Sequence, residues 1–340
     1  MASNVLIRDY VPLSEAIYYA PRGRLRLYGL AAYLSQHYLQ PTDHLIGVIG
    51  AEGSGKSTII KGLFPGLELT NDDDGINMPT SRAFSFDPDD QFCGHTFHID
   101  MRYEMAFHQI HEIVEVVKEI LHAKRRIVIE HFDLLYSHLG YNAQILFVIG
   151  EDMRVYRPNV FGPSPIKLRE MALSTLKYRL MAHTAEDIVG KILQDDYGYK
   201  PDKLHSELHH GFVIRFDHLP DINIEEVEKK AREIIASGVR VEPGESDHVL
   251  FNGVPFHCTG KRCHVKNTKE IENFRLLKSY KYNPLTKSYG LVGIIGEEIE
   301  TAEMEEELPP AQSEDFEDSE EPGDKWIGIG PFVGKMHFKS

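Results

Sequence analysis

Residues 50–58 of this 340-residue chain read Gly50-Ala51-Glu52-Gly53-Ser54-Gly55-Lys56-Ser57-Thr58. They fill every fixed position of the phosphate-loop pattern G-x-x-x-x-G-K-[ST]. The apolar run at 44–49 predicts a buried strand before the loop, and residues 57–63 predict a helix after it. In this arrangement, backbone N–H groups and the positive end of the helix dipole converge on one anion. We therefore expect the loop to bind ATP, with Lys56 on the outer phosphates and the Ser57 hydroxyl on Mg²⁺.

Composition and cysteine content narrow the class of protein. Three cysteines are too few for a disulfide framework, so we expect a cytoplasmic protein. No apolar run is long enough to span a bilayer, which argues against a membrane partner. Residues 297–324 hold fourteen acidic residues and no Lys or Arg, which accounts for most of the formal net charge of −15. This composition predicts a disordered acidic tail.

The order of predicted elements divides the chain into four parts. Residues 1–43 form a helical lead-in. Residues 44–165 alternate strands with helices, which predicts an α/β domain with a parallel sheet around the phosphate loop. Residues 166–296 begin with a long helix and continue as short strands and turns, which predicts an α+β domain. Residues 297–340 are the acidic tail with an apolar end.

Two acidic positions near the loop suit a phosphotransferase, which needs a carboxylate for the Mg²⁺ shell and a base for the acceptor hydroxyl. The strand predicted at 126–130 ends in Glu130, where the acid of the metal shell usually lies. A short strand predicted at 67–70 is followed by Asp72 and Asp73, which we assign as candidate bases. A simple polar turn is the alternative for these aspartates.

The remaining motifs of the first half suggest a family. Arg154 and Arg157 follow the strand predicted at 144–150, in a Pro-punctuated segment that we expect to close over phosphates. Together with the loop, Glu130 and the runs at 72–75 and 86–92, this half resembles the uridine-kinase-like branch of P-loop kinases. The resemblance implies phosphoryl transfer from ATP to a nucleoside-like acceptor, with the aspartate after the second strand as base.

Metal-binding side chains occur twice in the second half. His183 and Asp187 are four residues apart on the predicted helix, so they share a face. Cys258 and His264 belong to a run, 257–264, that holds two cysteines and two histidines, a composition that suits zinc. From these residues alone, a structural histidine pair with two free thiols is an equal alternative.

The order of motifs over about residues 180–295 resembles the second additional domain of alanyl- and threonyl-tRNA synthetases, including free-standing alanyl-tRNA editing proteins. The resemblance rests on a His-Thr-Ala helix, the run at 213–218, a Glu-rich helix and the run at 258–271. It implies a zinc site at which an aminoacyl-tRNA ester is recognised and hydrolysed. The ligands it implies are His183, Asp187 in place of the family's second histidine, Cys258 and His264. His205 and His209 have the same spacing and are an alternative pair.

Three hypotheses about function follow. In the first, an ATP-binding phosphotransferase-like domain is coupled to an editing-like domain that recognises an aminoacyl-tRNA end and, with zinc, hydrolyses it. In the second, the chain is a small-molecule or nucleoside kinase, and the editing-like domain only helps to form the acceptor site. In the third, the chain is a non-catalytic, ATP-gated RNA-binding or regulatory protein.

Overall fold

The computed structural model describes residues 15–70, 81–88, 94–199 and 205–296, and for residues 205–207 it describes the backbone alone. The candidate bases Asp72 and Asp73 and the predicted acidic tail lie outside these residues. All of the described residues belong to one compact unit. Among the described helices, none has both the length and the apolar character that a membrane crossing requires.

A six-stranded mixed sheet forms the centre of the first half. Its strands are β1 (Glu15–Tyr19), β2 (Leu45–Gly50), β3 (Thr96–Asp100), β4 (Arg126–Glu130), β5 (Ile145–Ile149) and β6 (Asp152–Tyr156). Their spatial order is β1-β6-β5-β2-β4-β3. The four strands from β5 to β3 are parallel, and β6 and β1 extend the sheet in antiparallel pairing. The α/β class with a parallel-rich sheet is therefore confirmed.

Helices cover both faces of this sheet and continue into the second half. They are α1 (Arg24–Tyr38), α2 (Lys56–Leu63), α3 (Met101–Glu104), α4 (Ile110–His122), α5 (Phe132–Leu139), α6 (Pro165–Tyr197) and α7 (Ile224–Ser237). On α4, Ile113, Val117 and Ile120 form a buried stripe at helical spacing. Where α1 meets α2, a Cβ atom at Gly62 would lie 2.6 Å from the Cβ of Ala31, so this close packing needs glycine.

Several strands of the first half differ from the sequence prediction. Residues 67–70 are not a strand: they follow a turn at Pro65-Gly66, and Glu68 is exposed. The strand beside β4 is instead β3, whose last four residues are all buried. In the predicted lead-in, α1 is present as expected, but β1 also pairs with β6, so this segment belongs to the sheet.

The second half packs around the 33-residue helix α6 and around α7. Its strands are β7 (His205–Leu208), β8 (Gly211–Phe216), β9 (Val241–Pro243), β10 (His248–Phe251), β11 (Val254–His257), β12 (Arg275–Leu276), β13 (Lys281–Asn283) and β14 (Ser288–Ile294). They form two antiparallel sheets, one of the order β11-β10-β9 and one of the order β12-β14-β8-β7, with β13 also paired to β14. The predicted short strands and turns are confirmed.

Candidate functional site

The predicted strand–loop–helix unit is present around residues 50–58. Strand β2 ends at Gly50, and α2 begins at Lys56. Gly53 and Gly55 have φ angles of 74° and 100°, the left-handed region that glycine enters without a steric cost. A Cβ atom at Gly55 would also lie 2.4 Å from Cδ2 of Leu27. The loop is thus a tight turn that leads directly into a helix N-terminus.

Lys56 is held inside this loop and is only 5% exposed. Its Nζ donates to the Ala51 carbonyl oxygen at 2.7 Å and lies 3.6 Å from Oε1 of Glu130. Burial lowers the pKa of the Lys56 ammonium, against the opposing charges of Glu130 and Asp100. The Lys56 side chain is therefore a partly desolvated cation beside the loop, as its position in the motif predicts.

Glu130 closes β4 and is buried next to the loop. Burial acts to raise the pKa of its carboxyl, but the His98 imidazole, with Nε2 3.4 Å from Oε2, and the charge of Lys56 outweigh it, so the pKa is lowered. The next residue, His131, is buried in the left-handed conformation at φ 58°. Burial and the charges of Lys56 and Arg102 lower the pKa of His131 to about 3. This site therefore holds an ionised carboxylate next to a neutral imidazole.

Asp100 is a site residue that the sequence prediction missed. It ends β3, sits beside Glu130 in the parallel register and lines the same cleft. Its carboxylate accepts from the backbone N–H groups of Arg102 and Tyr103, so it also caps α3. The signal in the sequence is an aspartate that ends a short run with buried-strand composition and precedes a helix. Asp100 therefore has a strand-end position of the kind that we predicted for Asp72 or Asp73, which lie outside the described residues.

The structure does not bring Arg154 and Arg157 to the phosphate loop. Arg154 lies within β6 and bonds to Glu15 at 2.8 Å and to Asp152 at 3.0 Å. Arg157 follows β6. Because β6 runs antiparallel to β5, Arg157 lies at the end of the strands opposite the phosphate loop, where it pairs with Asp43 at 2.8 Å. Both arginines already pair with carboxylates of the sheet or of the segment just before β2, and neither lines the cleft.

A cleft of about 570 Å³ opens over the loop, and both halves of the chain line it. Its cationic lining residues are Arg22, Arg24, Lys56, Lys61, Arg102, Arg179, Lys261 and Arg262. Its acidic lining residues are Glu52, Asp100, Glu130 and Asp247. Buried Arg179 supports the loop from α6, because its guanidinium donates to the carbonyl oxygens of Ser54 at 2.9 Å and of Pro21 at 2.7 Å. The excess of cations suits a polyanionic ligand.

The four predicted zinc ligands come together in the second half. The candidate ligand atoms of His183, Asp187, Cys258 and His264 all lie within 4.8 Å of one another. The Cys258 thiol is 3.4 Å from Nε2 of His183 and 3.8 Å from Nε2 of His264. Asp187 is 2.9 Å from His264 Nε2 and 4.0 Å from His183 Nε2. Ligands about 2.0–2.3 Å from a tetrahedral zinc would stand at similar separations.

The surroundings of this group also fit a divalent cation. Nδ1 of His183 is 2.9 Å from the Cys263 carbonyl oxygen, which leaves Nε2 to face the other donors. Burial, then the nearby Asp187, raises the pKa of the Cys258 thiol, and burial together with His264 lowers the pKa of His183. Without a cation the group therefore favours a thiol and a neutral imidazole. A bound cation would supply the charge that a thiolate needs.

His209, of the alternative pair, is not among the grouped donors of the described residues. The His209 imidazole contacts the Asp152 carboxylate and packs edge-on against Tyr19, with ring centroids 4.9 Å apart. The side chain of His205 lies outside the described residues. His209 thus contacts a carboxylate near β1 and β6.

Comparison with known proteins adds no relative to these observations. No protein-family model matches the chain, and no curated protein is significantly similar to it. The site is therefore interpreted from its own geometry, and both family resemblances stay predictions.

Proposed function

We propose that this chain is a Mg²⁺- and ATP-dependent phosphotransferase that acts on a small hydroxyl-bearing acceptor. One observation carries the proposal: Lys56, Ser57, Asp100 and Glu130 line one cleft beside a glycine-rich loop and a helix N-terminus. This set contains the groups that phosphoryl transfer requires, which are hydrogen-bond donors to phosphate, a cation and two carboxylates.

Each side chain has a definite role in this proposal. Lys56 moves its ammonium from the Ala51 carbonyl oxygen to the outer phosphates. Glu130 and the Ser57 hydroxyl hold the shell of Mg²⁺, which when bound neutralises charge on the phosphate oxygens. His98 holds Glu130 in place and keeps it ionised.

Asp100 accepts the proton of the acceptor. The acceptor oxygen forms a bond to the γ-phosphorus, the bond between that phosphorus and the β–γ bridging oxygen breaks, and ADP leaves. The acceptor proton passes to the Asp100 carboxylate, which lines the cleft at the end of β3. Cleft cations such as Arg24 and Arg102 balance charge on the transferred group.

The shared cleft favours the hypothesis in which the second half completes the acceptor site. Residues 259–263, between two of the candidate metal ligands, line the same cleft as the phosphate loop. An acceptor in the cleft would therefore contact both halves. A nucleoside-like molecule is the acceptor class implied by the resemblance of the first half.

A second candidate function, recognition of an aminoacyl-tRNA end, is favoured by the assembled metal group. Four protein donors fill a tetrahedral site, as in structural zinc sites, whereas catalytic zinc keeps a position open. We therefore expect zinc to organise this half and not to activate water. If Ser- or Gly-charged tRNA(Ala) is hydrolysed by the purified protein, this assignment of the metal is wrong.

The proposed activity is tested by measuring ADP release with MgATP and a panel of nucleosides and other small alcohols. We expect ADP to form only when a suitable acceptor is present, together with a phosphorylated product visible by mass spectrometry. Lys56→Ala should abolish both signals, and Lys118→Ala, at an exposed position of helix α4, is the matched control. No product above background with any acceptor would contradict the proposal.

A further inference from the structure

The loop that carries two of the candidate metal ligands also forms a wall of the phosphate cleft. Cys258 directly follows β11, and its N–H donates to the Asp247 carbonyl oxygen at 2.9 Å. His264 ends the loop, and both residues belong to the metal group. The residues between them, 259–263, line the cleft opposite the phosphate loop. The two ends of this short segment thus belong to the metal group, while its middle lines the cleft over the phosphate loop.

Close backbone contacts join this segment to both sites. A Cβ atom at Gly260 would lie 2.4 Å from the Arg22 carbonyl oxygen and 2.6 Å from Cε1 of His183. A Cβ atom at Gly53, in the phosphate loop, would lie 3.5 Å from the Arg262 carbonyl oxygen. Such contacts leave little room for the segment to shift without affecting its neighbours.

Charge at the middle of this segment matches the chemistry of the cleft. Lys261 and Arg262 are consecutive and both line it. The Lys261 ammonium donates to the Gly244 carbonyl oxygen at 3.1 Å, which fixes its stem near β9. Two cations placed across from a helix N-terminus would contact the phosphates of a nucleotide from the side that the loop leaves open.

We propose that residues 258–264 form a second phosphate-binding element, in which metal bound at the segment's ends holds Lys261 and Arg262 over the nucleotide. The proposal rests on the proposed binding of ATP in the cleft. Filling of the metal group then raises the affinity for nucleotide, and nucleotide raises the affinity for metal by the same factor, because linkage is reciprocal.

Equilibrium binding of a non-hydrolysable ATP analogue tests this coupling. Protein is prepared zinc-loaded or zinc-free, with zinc content measured by mass spectrometry and Mg²⁺ in excess in both samples. We expect zinc to tighten nucleotide binding by about 5- to 150-fold, the usual range for coupled sites. Equal affinities of the two preparations, or a protein that does not retain zinc, would overturn the coupling and leave the proposed function standing. No nucleotide binding by zinc-loaded protein would contradict both.

A variant separates this effect from loss of folding in zinc-free protein. Lys261→Ala should keep its zinc, bind nucleotide about tenfold more weakly, as expected for loss of one charge-assisted hydrogen bond, and respond less to zinc. Lys266→Ala removes an equal charge from an exposed position just beyond the segment and should behave as wild type. If Lys261→Ala binds as tightly as wild type at full zinc occupancy, the proposal is wrong.

Discussion

His131 is a buried imidazole next to the phosphate loop. Its pKa is about 3 in the folded protein, against the ordinary 6.5 of an unfolded chain. Between these values the unfolded chain binds a proton that the folded protein excludes, so stability from this residue is lost as the pH falls from about 6.5 toward 3.

The His131→Asn variant tests this effect of pH on folding. Asparagine tolerates the left-handed backbone at this position but does not titrate. Between pH 6.5 and 5, the free energy of unfolding of the variant should depend less on pH than that of wild type, by up to about 1.4 kcal/mol per pH unit. Urea denaturation at several pH values measures both slopes. Identical slopes would show that His131 binds its proton equally in both states.

Asp100→Asn tests the assignment of the base. Asparagine still accepts the two N-cap hydrogen bonds of α3, so the fold should persist. We expect kcat for the best acceptor to fall by about 10²-fold or more, while the affinity for ATP stays close to that of wild type. Asp195→Asn, on the exposed face of α6, is the control. An unchanged kcat would return the role to Asp72 or Asp73.

Individual residues were predictable where a motif or a short spacing defined them. The loop residues assemble as the motif predicts, and the four candidate metal ligands that the resemblance implies lie together. Arg154 and Arg157 do not reach the loop. They pair with Glu15 and Asp43, which lie in distant segments of the chain. The sequence offers no signal for such long-range ion pairs.

At the scale of elements, strands of the first half with a mostly apolar composition were predictable, and its strands of mixed composition were not. Arg126–Glu130 and Ile145–Ile149 lie where expected. Strand β3 contains His98 and ends in Asp100, so its residue pattern was not distinguished from that of the helices that follow it. What identifies β3 is its pairing with β4, a contact between residues about thirty positions apart.

The Cys258–His264 segment leads to a prediction about zinc content and stability. Zinc bound by four protein side chains should contribute directly to the stability of the second half. Cys258→Ala should lower the zinc content from about one per chain to near zero and lower the melting temperature. Cys263→Ala is the matched control, because the Cys263 thiol is not among the grouped donors. Full zinc occupancy in Cys258→Ala would contradict the assigned ligand set.

At the scale of the whole molecule, buried arginines join the two halves. Arg22, just before α1, lies 3.4 Å from Glu186 in the middle of α6 and also donates to the Gly211 carbonyl oxygen at 3.2 Å. Arg179 connects α6 to the phosphate loop. These contacts are consistent with the single compact unit to which the described residues belong.

The Arg22–Glu186 pair predicts strong coupling between the halves. Arg22→Met removes one partner of a buried ion pair and should destabilise the protein by about 3–5 kcal/mol. The double variant Arg22→Met/Glu186→Leu should recover part of this loss, because the buried carboxylate is then gone. Chemical denaturation of the wild type, both single variants and the double variant gives the coupling energy. Additive effects would contradict a direct interaction between the halves.

Binding of MgATP at the loop of residues 50–58 is the basis of every functional proposal made for this chain. Isothermal titration of MgATP into zinc-loaded wild type and Lys56→Ala tests it most directly. We expect one site per chain in the wild type and an affinity about 10- to 100-fold lower in Lys56→Ala, as expected for the loss of a hydrogen bond to a charged group. Equal affinity in the two proteins, or no heat of binding in the wild type, would contradict the assignment of the cleft.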